Sequence, residues 1–176
     1  VLQLMNMHDA DLAVDEYLRV IRYKTAKLFE ASARLGAVLA GASPEIEQAS
    51  AAYGRSLGTA FQLVDDLLDY EGNTQDLGKN VGDDLREGKP TLPLLLAMAR
   101  TTGSQRQLIR DAIVHGQTAQ LEQIAEIARS CGAIQSARDL ASQEAHAAAA
   151  QLAQWPQTEY RQALLDFCAR SVGRSS

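Results

Sequence analysis

Aromatic residues make up only 5% of this 176-residue chain, and it contains two cysteines and four prolines. So few aromatics, beside abundant alanine and leucine, favour helices over sheets. No stretch alternates polar and apolar residues for long enough to read as a strand, and no fixed-period repeat is present. Cys131 and Cys168 lie far apart without a CxxC pattern, so both are expected to be free thiols in a reducing cytoplasm. His8, His115 and His146 share no metal-ligand spacing. The longest wholly apolar run, "LPLLLAMA" at 92–99, is too short to span a bilayer. The opening residues also lack the basic-then-apolar order of a secretory leader. Positive charge is in deficit: 17 Lys and Arg against 22 Asp and Glu leave −5. A general affinity for nucleic acid or anionic membranes is therefore not expected.

What is present is helical. With 46% hydrophobic and 22% charged residues, the chain is expected to form one all-α domain over 1–176. Residues 9–41 read as a helix with Asp11 as N-cap and Gly41 as terminator, and Tyr17, Ile21, Lys24 and Leu28 share one face. A second helix, 43–72, opens with Ser43 as N-cap and Pro44 in its first turn. Residues 72–90, "GNTQDLGKNVGDDLREGKP", are glycine-rich and without apolar period. They read as a functional loop. Helices return over about 91–101, 104–114, 118–130, 133–153 and 157–172. Ser104 and Thr118 are the expected caps, and Trp155-Pro156 is a break.

The second helix ends in "FQLVDDLLDY", which sets Asp65, Asp66 and Asp69 among apolar neighbours. Spacings of three and four allow the three carboxylates to share one patch. Two such charges about 6 Å apart repel by about 3 kcal/mol at an effective dielectric of 20. Aspartate near a helix C-terminus also opposes the macrodipole. A divalent cation removes both objections, and Mg²⁺ suits a few carboxylates completed by water and substrate phosphate. Gln62, three residues before Asp65, adds a neutral hydrogen-bonding group. Lys79 and Lys89 each follow a glycine in the loop, which suits close approach to a phosphate. Lys24, on an apolar face, is expected to need a partner for its charge. Together these residues suggest a diphosphate held through Mg²⁺.

"FQLVDDLLDYEGNTQDLGKNVGDDLREGKPTLPLLLAM" resembles the second aspartate-rich motif and following loop of the trans-isoprenyl diphosphate synthases, especially their long-chain members that make quinone side chains. "RYKTAKLFEAS" at 22–32 is similar to the lysine–threonine helix of the same family. The resemblance implies an all-α isoprenoid-synthase bundle around a cavity, usually in a homodimer. It implies Mg²⁺-assisted ionisation of an allylic diphosphate, such as farnesyl diphosphate, and condensation with isopentenyl diphosphate. It assigns metal binding to Asp65, Asp66 and Asp69, and diphosphate binding to Lys24, Lys79 and Lys89. Thr25 and Gln62 would present oxygens to the developing carbocation, alongside Lys24. Only one DDxxD occurs here, whereas the family carries two. The chain is therefore expected to be roughly the C-terminal half of a synthase, inactive alone, with exposed apolar surface. Two alternatives are a non-catalytic helical subunit and a terpene cyclase. The intact aspartates and Lys89 argue against the first, and the glycine–lysine loop argues against the second.

Overall fold

The computed structural model describes residues 2–71, 81–153 and 155–173, and every regular element among them is helical. After a short α1 (Leu2–Met5), α2 (Val14–Ile21) runs through a π-helical turn (Arg22–Ala26) into α3 (Lys27–Leu39). Next come the long α4 (Pro44–Glu71), the four-residue α5 (Asp83–Arg86), α6 (Leu92–Arg100) and α7 (Gly103–His115). The order closes with α8 (Leu121–Ser130), α9 (Ala133–Gln151) and α10 (Glu159–Val172). The described residues fall into two compact units, one drawn from 1–20 and 65–138, the other from 21–64 and 139–174. Helices α4 and α9 each contribute to both.

In the first unit α6 packs on α7 and α8, and α7 on α8. Leu92, Leu94, Ile109, Ile113 and Ile124 are almost wholly buried there. The apolar run at 92–99 is thus a core helix. In the second unit Tyr53, Leu57, Ala148, Leu152 and Cys168 form a cluster covered by Phe29, Trp155 and Leu164. The Tyr53 hydroxyl donates to the Leu164 carbonyl at 3.2 Å. Both cysteines are free. Gly54 and Gly58, one turn apart on α4, let α3 come close: a Cβ at Gly54 would lie 2.3 Å from the Phe29 carbonyl oxygen.

Several boundaries differ from the sequence reading, each for a local reason. Asp11 does not cap a helix, which begins at Val14 instead. Its carboxylate takes both Arg110 amines at 2.6 and 2.7 Å, and its own N–H donates to Asp9 Oδ1. The residue before α7 is Thr102 rather than Ser104, and α8 begins three residues after Thr118, whose carbonyl accepts the Leu121 N–H. Ser43, Pro44 and Gly41 act as expected. Pro44 opens α4, and Gly41, in the left-handed region at φ 64°, ends α3. The Trp155-Pro156 break falls between α9 and α10, and the Thr158 hydroxyl caps α10 by accepting from Arg161 N–H.

The π turn has the largest consequence. The Lys27 N–H reaches the Arg22 carbonyl, five residues back, so one extra residue enters the helix and the buried face rotates. Tyr17 and Ile21 are buried before the turn, and Ala26 and Ala37 after it. Lys24 and Leu28 are exposed. Lys24 is therefore not an ammonium forced into apolar surroundings, and the expected desolvation cost does not arise.

Candidate functional site

The last turns of α4 anchor the first unit's polar groups. Asp66 is buried, and the Tyr17 hydroxyl donates to its Oδ2 at 2.5 Å. Burial first, then the Asp66 charge, raises the Tyr17 phenol well above its ordinary range, so it remains a donor. Replacing Tyr17 with phenylalanine keeps the ring but removes one donor from a buried carboxylate. The expected loss is about 1–3 kcal/mol of stability. Urea unfolding reads it, and an unchanged midpoint contradicts the pairing. Tyr70, one residue after Asp69, shares a 2.8 Å hydrogen bond with Thr91, at the entrance to α6.

Asp69 faces the segment beyond α4. Its Oδ1 accepts the N–H groups of Gly82 and Asp83, and its Oδ2 accepts that of Asp84, all at 3.1 Å. Burial and the nearby Asp84 charge push its carboxyl up to about 6, against the pull of those three donors. Asp65, on the same helix end, is half-buried. Arg138 on α9 pairs with Glu71, the last residue of α4.

Lys89 is held by two carboxylates, Asp84 at 2.8 Å and Glu87 at 2.7 Å. Burial opposes its charge, but the bonds to Asp84 and Glu87 prevail and hold the ammonium above the usual lysine range. Gly88 before it has φ 71°, and its carbonyl accepts the His8 N–H at 2.7 Å. A Cβ at Gly88 would meet the His8 ring at 2.2 Å, so only glycine fits this approach. Lys79 lies outside the described residues.

In the second unit Thr25 and Gln62 come together. The Thr25 hydroxyl donates to Gln62 Oε1 at 2.6 Å, and Gln62 is buried. Thr25 and the exposed Lys24 both stand in the π turn.

Among the described residues no three or more His, Cys, Asp or Glu side chains form a ready-made metal cage. The donor set on α4 is all oxygen, which fits a hard cation that keeps water and takes further ligands from a phosphate. Asp65, Asp66 and Asp69 are the residues at the end of α4 whose oxygens could hold such an ion. Sequence reading missed Tyr17 and Asp84. Tyr17 reads as core on periodicity, and the signal was its hydroxyl, which a buried phenol must satisfy. Asp84 reads as part of the loop.

Solved structures with the same helical arrangement are isoprenoid-type synthases. A polyprenyl synthase from Caulobacter crescentus CB15, complexed with calcium and isoprenyl diphosphate, is 44% identical with a TM-score of 0.93, over 99% of this chain and 54% of that one. A decaprenyl diphosphate synthase from Rhodobacter capsulatus is 39% identical with a TM-score of 0.89, over 97% and 53%. The fold is the isoprenoid synthase helical fold.

The sequence profile described as Polyprenyl synthetase matches residues 1–131, and the chain belongs to that family. Octaprenyl diphosphate synthase of Escherichia coli (strain K12) is 51% identical over 175 residues, 99% of this chain and 54% of that protein. The geranyl-diphosphate-specific all-trans-nonaprenyl-diphosphate synthase of Rhodobacter capsulatus is 44% identical over 174 residues, 99% and 53%. The chain spans about half the length of the curated relatives it matches.

Proposed function

We propose that this chain supplies one of the two diphosphate-binding halves of a long-chain trans-polyprenyl diphosphate synthase. In this reading it acts in quinone side-chain synthesis in the cytoplasm. The observation that carries the reading is the end of α4, where Asp65, Asp66 and Asp69 follow at helical spacings of three and four and Lys89 is held in the same unit by Asp84. The Caulobacter structure, with its divalent cation and isoprenyl diphosphate, supports an equivalent pairing here. Asp65 and Asp66 would hold the Mg²⁺, with Asp69 completing the acidic patch. When bound, that ion neutralises charge on the departing diphosphate.

The chain's own residues do the rest. The family resemblance assigns Lys24, Lys79 and Lys89 to diphosphate oxygens, and an ammonium in that role is attracted more strongly as the carbon–oxygen bond breaks. That growth favours the transition state over the ground state. For Lys89 a diphosphate replaces the oxygens of Asp84 and Glu87. The Thr25 hydroxyl and Gln62 present oxygen dipoles to the allylic cation, and the hydrogen bond between them fixes both orientations. Apolar side chains of α4, Phe61, Val64 and Leu68, exclude water that would otherwise trap the cation. Isopentenyl diphosphate is the second substrate.

With one DDxxD among its residues, the chain is expected to condense farnesyl and isopentenyl diphosphates only when a second aspartate-rich segment is supplied. An assay of the chain alone and fused to the unmatched portion of the Escherichia coli relative tests this. Turnover by the fusion with none by the chain is the expected result. No turnover by the fusion favours a non-catalytic subunit.

Leu28, Leu35 and Leu39 on α3 are 71%, 56% and 79% exposed, a contiguous apolar face of the kind that drives association. The isolated chain is expected to self-associate as its concentration rises, and the synthase to be a homodimer. Sedimentation velocity reads this for the chain. A concentration-independent monomer contradicts the association.

A further inference from the structure

We propose that Asp69 is a positioning residue: its carboxylate builds the turn that presents Lys89, while cation binding falls to its neighbours on α4. The inference rests on the metal–diphosphate reading above and separates the roles within it. Helix α5 has Gly82 at its N-cap position, and glycine has no side chain to cap the open N–H groups of the first turn. Asp69 supplies the missing cap from 13 to 15 residues away, taking the N–H groups of Gly82, Asp83 and Asp84 on its two oxygens. Its backbone carbonyl also accepts from Gly82. A carboxylate offers about four lone-pair positions, so these bonds occupy most of what Asp69 has.

The hold passes on to Lys89. With its N–H fixed by Asp69, Asp84 accepts the Lys89 N–H on its backbone carbonyl at 2.9 Å. Its side chain accepts the Lys89 ammonium at 2.8 Å. Gly82 has φ 86°, and a Cβ there would meet Leu121 at 2.4 Å, so the turn depends on that glycine as well. Asp69 is thus joined to the phosphate-directed lysine through two hydrogen-bonded steps, all within one compact unit.

Asparagine separates the two roles. It keeps an acceptor oxygen at the Oδ1 position, which serves two of the three N–H groups, but it is a poor ligand for a hard cation. The test is amide hydrogen exchange together with Mn²⁺ titration in the presence of inorganic diphosphate. It uses the unmodified 176-residue chain, Asp69→Ala, Asp69→Asn and Asp65→Ala. Asp69→Ala is expected to speed exchange at Asp83 and Asp84 by at least about tenfold, whereas Asp69→Asn speeds it by no more than about threefold at Asp83 and as fully as alanine at Asp84, whose acceptor becomes an amide NH2. Mn²⁺ affinity should stay within about threefold in Asp69→Asn and fall at least about tenfold in Asp65→Ala. Unchanged exchange at Asp83 and Asp84 in Asp69→Ala overturns the proposal, as does an Asp69→Asn chain that loses Mn²⁺ as fully as Asp65→Ala. If the unmodified chain takes up no Mn²⁺ with diphosphate, the metal reading fails, and exchange at Asp83 and Asp84 alone decides the role of Asp69.

Discussion

Replacing Asp65 with alanine is expected to lower Mg²⁺-dependent condensation by about 10²–10³-fold in a synthase that contains this chain. The size of the effect follows from when the interaction matters. A bound allylic diphosphate already carries charge, but more develops on the leaving oxygens as the bond breaks. Losing a cation ligand therefore lowers kcat more than it raises KM. Asp65, the first aspartate of the DDxxD run, carries this expectation because the family resemblance assigns it to the cation, whereas Asp69 takes the three N–H groups of 82–84. Steady-state kinetics at saturating Mg²⁺ reads the change. Wild-type kcat and KM in Asp65→Ala would remove the acidic end of α4 from the reaction.

Gly54→Ala is expected to cost about 3 kcal/mol of stability, at the upper end for overpacking. The added Cβ would lie 2.3 and 2.7 Å from the Phe29 carbonyl oxygen and carbon, and 2.9 Å from Glu30 Cα. These are backbone atoms of α3, so no rotamer change relieves the clash and the helices must separate. Gly58→Ala is expected to behave alike, because its Cβ would come within 2.7 Å of Ala26 Cα. Gly36 is the control. It lies inside α3 with nothing within 4 Å of an added Cβ, so Gly36→Ala should stabilise by about 0.5–1 kcal/mol. Urea unfolding of the three variants measures these signs. Equal shifts for Gly54→Ala and Gly36→Ala would contradict the close crossing of α3 and α4.

These two expectations draw on different depths of the sequence. The DDxxD spacing, the Ser43-Pro44 start of α4 and the Trp155-Pro156 break are local patterns, and each reads directly from neighbouring residues. The π turn at Arg22–Ala26 is not local in that sense. Nothing in "RYKTA" differs from an ordinary helical segment, and the rotated face appears only when the burial of Ala26 and Ala37 is seen. That is why Lys24 reads as desolvated from its spacing and is exposed in the fold. Asp11 illustrates a second limit. Its carboxylate is taken instead by a bidentate partner 99 residues away, which local spacing does not show. The link from Asp69 to 82–84 crosses a polar stretch that carries no periodicity, so spacing marks Asp69 as acidic without showing what it caps. Thr25 and Gln62, placed in one role by family resemblance, are joined in the structure by a direct hydrogen bond.

The most direct test of the central claim is calorimetric titration of inorganic diphosphate into the 176-residue chain, with Mg²⁺ and with a chelator. Binding that requires Mg²⁺ and disappears in Asp65→Ala is the expected result. Diphosphate binding of equal strength with and without Mg²⁺, or binding untouched by Asp65→Ala, would contradict a metal-bridged diphosphate site at the end of α4.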